Sequence, residues 1–339
     1  MQKVLASIAL ATAASLGAIN AAGAATLDDI KANGFLRCGV TEGTVGFSAP
    51  DSNNQWAGID VEYCRAISAA IFNDADKVRY VPLSSPERFT ALSAGEADLL
   101  VRTTTWTMSR DTQQGVMFGA TNYYDGQGFI VRKADGITSA LELSGAALCI
   151  EAGTTTELNA ADYFEANGLE YNPVVFTGQD EAWKAYEDGR CDVMTTDASA
   201  LASNRSVLQV PDDHIILPEI ISKEPLASVT RQGDDVWFNL VRWTHYAMLE
   251  AEELGVTSQN VDEMLGSDNP AVKRLLGVEG DFGTSLGLDK DWAYRIIKLV
   301  GNYAEIFDKT IGPDTEIGLE RGINALWKDG GIQYSPPIR

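Results

Sequence analysis

The chain has 339 residues, a formal net charge of −22 and 45% hydrophobic residues. It is too long for one ordinary domain and comfortable for two. So acidic a chain is a poor partner for nucleic acid or an anionic membrane surface, and those two classes fall away first.

Residues 1–25 read as a secretory signal peptide. Lys3 is its charged start, Val4 to Ile19 its apolar stretch, and Ala22-Gly23-Ala24 a small-residue cleavage site. No later segment approaches the ~20 apolar residues of a spanning helix. Export would place Cys38, Cys64, Cys149 and Cys191 where disulfides persist. Four cysteines allow three pairings. Cys38–Cys64 and Cys149–Cys191 each stay within one strand–helix neighbourhood, and they are the expected pairs. Neither has CxxC spacing, and with His214 and His245 as the only histidines no zinc site or other cofactor is expected.

After the leader, Thr26 to Asn33 reads as a short helix closed by Gly34, and Phe35 to Val40 as a first strand. The loop up to Gly58 is long enough to be functional. Asp60 is expected to cap a helix over Val61 to Phe72. Val78 to Pro82 is a strand, and Ser85-Pro86 opens a helix that Gly95 ends. Strands alternating with helices argue for an α/β fold with helices on the sheet faces.

Leu99 to Val101 then empties into Thr103, Thr104, Thr105 and Thr107. Thr107 can cap a helix whose first turn holds Arg110. A cation there opposes the helix dipole, at a cost of ~0.3–1 kcal/mol. An anion between the guanidinium and the free helix N–H groups would offset that cost. A surface arginine after a polar turn is the competing reading.

Tyr123 to Arg132 is extended, with two glycines that permit a hinge. Ala146 to Glu151 is a strand, after which Thr154 and Glu157 have capping-box spacing. Val174 to Phe176 and Cys191 to Thr196 are further strands, with a helix over Asp180 to Asp188 between them; the second strand ends at Asp197. The segments Gly95 to Leu100 and Gly189 to Met194 echo each other weakly, which suggests two lobes of related design. Ile215 to Ser222 and Pro225 to Arg231 read as a second crossing. Helices are expected over Val236 to Leu254, Asn269 to Leu276, Asp289 to Asp308 and Pro313 to Lys328. Trp243, Trp292 and Trp327 fall on apolar stripes and read as core.

One group of strand ends offers Thr103, Thr105 and Arg110, and the other Thr154, Thr155 and Asp197. A cation, an anion and neutral hydrogen bonders suit a zwitterion. Arg110 can take a carboxylate in two parallel bonds and Asp197 an ammonium. Asp197 as a plain helix cap is the alternative.

Further segments are FLRCGV at 35–40, WAGIDVEYCRAI at 56–67, ERFTALSAGEADLL at 87–100 and TTTWTMSRD at 103–111. They continue as NYYDGQGFIVRK at 122–133, GTTTEL at 153–158, GRCDVMTTD at 189–197 and the ending YSPPIR. In that fixed order they resemble the family 3 periplasmic solute-binding proteins for polar amino acids, in particular the branch with a broad range of L-amino acids. The resemblance implies a two-lobed type II binding-protein fold. Residues 26–125 with 226–339 would form one lobe and 126–225 the other, joined by two hinge crossings.

It also implies Arg110 as the α-carboxylate ligand and Asp197 as the α-ammonium ligand, with Thr103, Thr105 and Thr155 completing the cage; Thr154, from the strand-end reading, is a further candidate ligand. Thr41 and Thr44 stand where the family often has an acidic and then an aromatic residue, so a tight fit to one side chain is not expected. Phe47 keeps its family place. Arg88 replaces a common aliphatic residue and is expected to favour glutamate, glutamine and their shorter homologues. The implied role is delivery to an inner-membrane ABC permease with a cytoplasmic ATPase, by a periplasmic monomer without catalytic activity. A dehydratase-like enzyme and a periplasmic sensor are the rival readings.

Overall fold

Two five-stranded sheets frame the computed structural model, which describes residues 26–339. The segment read as a signal peptide lies outside the described residues. In the first sheet the strand order is Val78–Pro82, Leu36–Val40, Leu99–Leu100, Glu224–Arg231 and Val116–Asp125. In the second it is Tyr171–Phe176, Ala146–Glu151, Val193–Asp197, Gln127–Arg132 and His214–Ile216. Each sheet has its fourth strand opposed to its neighbours. That strand is in each case the one arriving from the other sheet. The sequence echo therefore reflects a repeated plan, with Leu99–Leu100 and Val193–Asp197 at the two sheet centres.

Leu99 and Leu100 are both fully buried and belong to different cores, because successive strand residues face opposite sides of a sheet. The same holds for Phe129 and Ile130 in the second sheet. Sheets covered on both faces need continuous apolar strands, and these runs supply them. The main core spans Leu27 to Ile338 and gathers Trp237, Trp292, Tyr303 and Phe307 around the helices of the first lobe.

The chain passes between lobes twice, and Gly126 is the one residue between Val116–Asp125 and Gln127–Arg132. A Cβ there would stand 2.9 Å from the Ser222 carbonyl oxygen of the second crossing. Glycine is what lets the two crossings touch.

Several expectations are corrected. Asp60 lies inside the helix Ile59–Phe72, which Gly58 precedes, and its carboxylate points away into the protein. The helix after Pro86 begins only at Arg88. Thr154 precedes the helix Thr155–Ala166, but no capping box forms; its hydroxyl donates to the Glu151 carbonyl at 2.7 Å. The stretch 289–308 is two helices, Trp292–Leu299 and Tyr303–Thr310, broken at Gly301 and restarted by the Asn302–Glu305 capping box. Residues 313–328 are turns with two short 3-10 segments, Gly322–Asn324 and the start of Trp327–Asp329, because Pro313, Gly318 and Gly322 interrupt any helix. Trp327 is 51% exposed and packs on Tyr334 rather than the core.

This C-terminal region fastens the outgoing hinge strand. Asn324 donates to the Tyr124 carbonyl at 2.9 Å and accepts from its N–H at 2.7 Å, Tyr303 Oη donates to the Asn122 carbonyl at 2.7 Å, and Gln333 donates to the Thr121 carbonyl at 3.3 Å.

Both expected disulfides are formed, Cys38–Cys64 and Cys149–Cys191. Their sequence separations are 26 and 42, and chain entropy alone assigns them about 3.5 and about 4 kcal/mol. Cys149→Ser with Cys191→Ser should therefore lower Tm clearly in calorimetry, and an unchanged Tm would contradict this assignment.

Candidate functional site

The sheets present the ends of their central strands to one cleft, where open α/β sheets place ligands. A small cavity lies between them. Arg88, Thr103, Thr105 and Arg110 line it from the first lobe, and Thr154, Thr155 and Asp197 from the second. The residues singled out for opposite charges thus share one space.

Two expected residues do not. Thr41 Oγ1 hydrogen-bonds with Ser48 Oγ at 2.7 Å and accepts from the Thr44 N–H at 3.2 Å, so it braces the loop from behind. Phe47 is turned into the main core, edge-on to Tyr123, because the loop folds back with Ile59 N–H on the Gly46 carbonyl. Thr44 does reach the cavity, and its hydroxyl donates across the cleft to Gln179 Oε1 at 3.1 Å.

Thr107 caps the helix Met108–Gln113 by accepting from the Arg110 N–H, which fixes the start of that arginine's side chain. Arg110 Nη1 donates to the Thr105 carbonyl at 3.0 Å, and Nη2 crosses to the Gly153 carbonyl at 3.4 Å. Arg88 Nη2 donates to the same carbonyl at 3.2 Å. Gly153 adopts φ of +72°, a conformation suited to glycine, and rests against Pro86 across the cleft. These contacts hold the lobes together.

A third guanidinium was missed in the sequence. Arg102 lines the cavity and donates to Ser85 Oγ at 3.2 Å. Among the described residues, no carboxylate lies within 4.0 Å of Arg88, Arg102 or Arg110. Burial first, and then the other two arginines, pull the Arg88 pKa well below the ordinary guanidinium range. Unpaired buried cations are costly, and an anion entering the cavity relieves that cost.

Thr103 sits at φ of +44°, strained by ~1–3 kcal/mol for a β-branched residue. Its N–H donates to Asp60 Oδ2 at 3.2 Å, while Asn122 donates to Oδ1 at 3.3 Å. Asp60 is therefore a buried brace under the threonine loop, and burial raises its pKa to about 7.

Negative charge collects at the hinge side. Asp197 stands before the helix Ala198–Val207, yet its carboxylate accepts no N–H from that helix, so it does not act as a cap. Asp125 and Glu224, both unanticipated from the sequence, face each other directly on the two crossing strands. Like charges so placed repel. Glu224 accepts from Thr155 Oγ1 at 2.9 Å, Asn159 at 2.7 Å and Ser222 Oγ at 2.6 Å. Asp125 accepts from the Ser199 hydroxyl and from the Gly126 N–H. Burial raises Asp125 to about 6, and burial with Asp125 and Glu224 nearby raises Asp197 well above the usual carboxylate range.

A cation-lined wall facing an anion-lined one, with lobes closed over both, is the arrangement of a protein that traps a dipolar solute. Residues 36–260 match the model of the bacterial extracellular solute-binding proteins, family 3. The chain belongs to that family. Family 3 relatives include the general L-amino acid-binding periplasmic protein AapJ of Rhizobium johnstonii, 56% identical over the full length of both chains. The glutamate/glutamine/aspartate/asparagine-binding protein BztA of Rhodobacter capsulatus is 53% identical, over 94% of this chain and 95% of that one. Among solved structures of this type, an ABC transporter periplasmic binding protein from Brucella ovis with glutathione bound superposes with a TM-score of 0.91. It is 58% identical and covers 93% of this chain and 100% of its own.

For this family 3 protein the hinge carboxylates set a pH dependence. Folded Asp125, raised to about 6, holds its proton more tightly than the unfolded chain does, near pH 4. Between those values the folded state binds more protons, so stability falls as pH rises. Unliganded wild-type protein should therefore lose more Tm between pH 5 and pH 7 than Asp125→Asn does. Parallel curves for the two proteins would refute this.

Proposed function

We propose that this protein captures L-amino acids between its lobes in the periplasm and hands them to an ABC permease driven by a cytoplasmic ATPase. One observation carries the proposal: Arg110 from one lobe and Asp197 from the other line a single cavity. In this reading Arg110 takes the α-carboxylate and Asp197 the α-ammonium, with Thr103, Thr105, Thr154 and Thr155 around them. Neither lobe offers both charges, so a zwitterion makes all its contacts only when the lobes are closed, and binding favours closure. The lobes are 26–125 with 226–339, and 126–225; the Asp125–Gly126 and Ser222–Glu224 junctions are the hinge.

The names of the relatives support a broad range led by glutamate, glutamine, aspartate and asparagine. The bound ligand of the Brucella ovis protein, a γ-glutamyl tripeptide, extends the proposed range to γ-linked glutamyl peptides. Arg88, beside Arg110 on the Gly153 carbonyl, is the proposed reader of a short acidic or amide side chain. A carrier rather than a catalyst fits the two histidines, since His214 is tied to Tyr186 and His245 to Gln333, both away from the cavity. The leader at 1–25 is cleaved on export, and one chain supplies the whole cavity wall, so a monomer suffices.

Thermal unfolding with a panel of amino acids tests the function. A ligand at 100 times its Kd should stabilise by about 2.7 kcal/mol, with L-glutamate and L-glutamine leading and D-enantiomers trailing. Arg110→Ala and Asp197→Asn should each remove the shift, and a panel without any shift would overturn the reading. Arg88→Ala should weaken glutamate while sparing alanine; unchanged glutamate affinity would remove Arg88 from its proposed role.

A further inference from the structure

We propose that Arg102, held by Ser85, forms a second anion subsite that reads a carboxylate lying further out on the ligand than the side chain of glutamate reaches. The proposal rests on the binding function above and assigns a residue to the γ-linked end of that range. Arg102 lines the same cavity as Arg88 and Arg110 but takes a different hydrogen-bond partner. Arg88 and Arg110 converge on the Gly153 carbonyl, whereas Arg102 turns to Ser85 Oγ at 3.2 Å.

Its side chain is as little satisfied as that of Arg88, each making one hydrogen bond and keeping a buried, unpartnered Nε. Arg102 is 4% exposed, and its Nε is buried with no hydrogen-bond partner. The carboxylates that face it from neighbouring elements are Glu42, Glu151, Asp60 and Asp197, and none forms an ion pair with it. Asp60 is already engaged by the Thr103 N–H and Asn122.

A guanidinium taken out of water without a counter-charge is tolerated where a ligand supplies one. Its planar fork selects a carboxylate over an uncharged amide. Glu151 adds a second clue, because its Oε1 is also buried without a partner at the cavity wall. A γ-linked peptide carries what both need, an amide N–H for Glu151 followed by a terminal carboxylate for Arg102. Free glutamine offers the amide N–H but no carboxylate beyond it.

Isothermal titration with γ-L-glutamylglycine and its C-terminal amide, L-glutamine serving as reference, tests the assignment. Wild-type protein should prefer the free acid to the amide. Arg102→Gln should weaken the free acid by roughly tenfold to a hundredfold more than it weakens the amide or glutamine. Ser85→Ala, which keeps the guanidinium and frees one of its donors, should weaken the free acid alone by roughly threefold to tenfold and guards against misfolding of the arginine variant. Equal losses for acid and amide in these variants, or no loss for either, would overturn the subsite while leaving amino-acid binding intact. Failure of wild-type protein to bind glutamine at all would instead overturn the function on which the subsite rests.

Discussion

Three guanidiniums withdrawn from water without a carboxylate beside any of them are the constraint around which the cleft is built. Arg88, Arg102 and Arg110 repel one another across a small space, and burial adds to the penalty. A protein could neutralise them with its own acids, and this one has acids in abundance. Instead a buried group of them, Asp125, Asp197 and Glu224, is gathered at the crossings. Charge is separated within the cleft rather than cancelled. A dipolar guest restores neutrality at both ends, and so the same arrangement that weakens the unliganded closed form strengthens the liganded one.

The fold makes this separation possible by simple means. Each lobe supplies one central strand whose apolar run ends at the cleft in polar residues. Thr103 and its neighbours follow one of them, and Thr196 and Asp197 close the other. The strained backbone of Thr103, braced by Asp60, places that loop where an unbraced turn would not stay. Gly153, in a conformation other residues avoid, turns its carbonyl toward two arginines from the facing lobe.

Much of this was legible in the residue order, and what was not has physical reasons. Arg110, Asp197 and the threonines announced themselves because charged or hydroxylic groups stood at the ends of short apolar runs. Arg102 stood just as close to such a run, directly after Val101, yet drew no reading of its own. An ionisable residue next to fully buried neighbours is the signal that could have found it. Asp125 and Glu224 were hidden by distance, since only the pairing of strands a hundred residues apart sets them face to face. Thr41 and Phe47 were placed at the ligand by family position, and a local turn moved both behind the wall. The C-terminal helix pattern failed where glycine and proline break the backbone faster than apolar spacing can propose it.

That C-terminal region has a consequence for movement. The Val116–Asp125 strand lies at the border of its sheet, where one row of backbone groups lacks a neighbouring strand. Side chains from Tyr303, Asn324 and Gln333 grip those groups along the last residues before Gly126. A ribbon clamped as far as Tyr124 flexes little along its length. Rotation is thereby concentrated into the few bonds just past the clamp, and the lobes swing about a short, fixed pivot rather than a long compliant one.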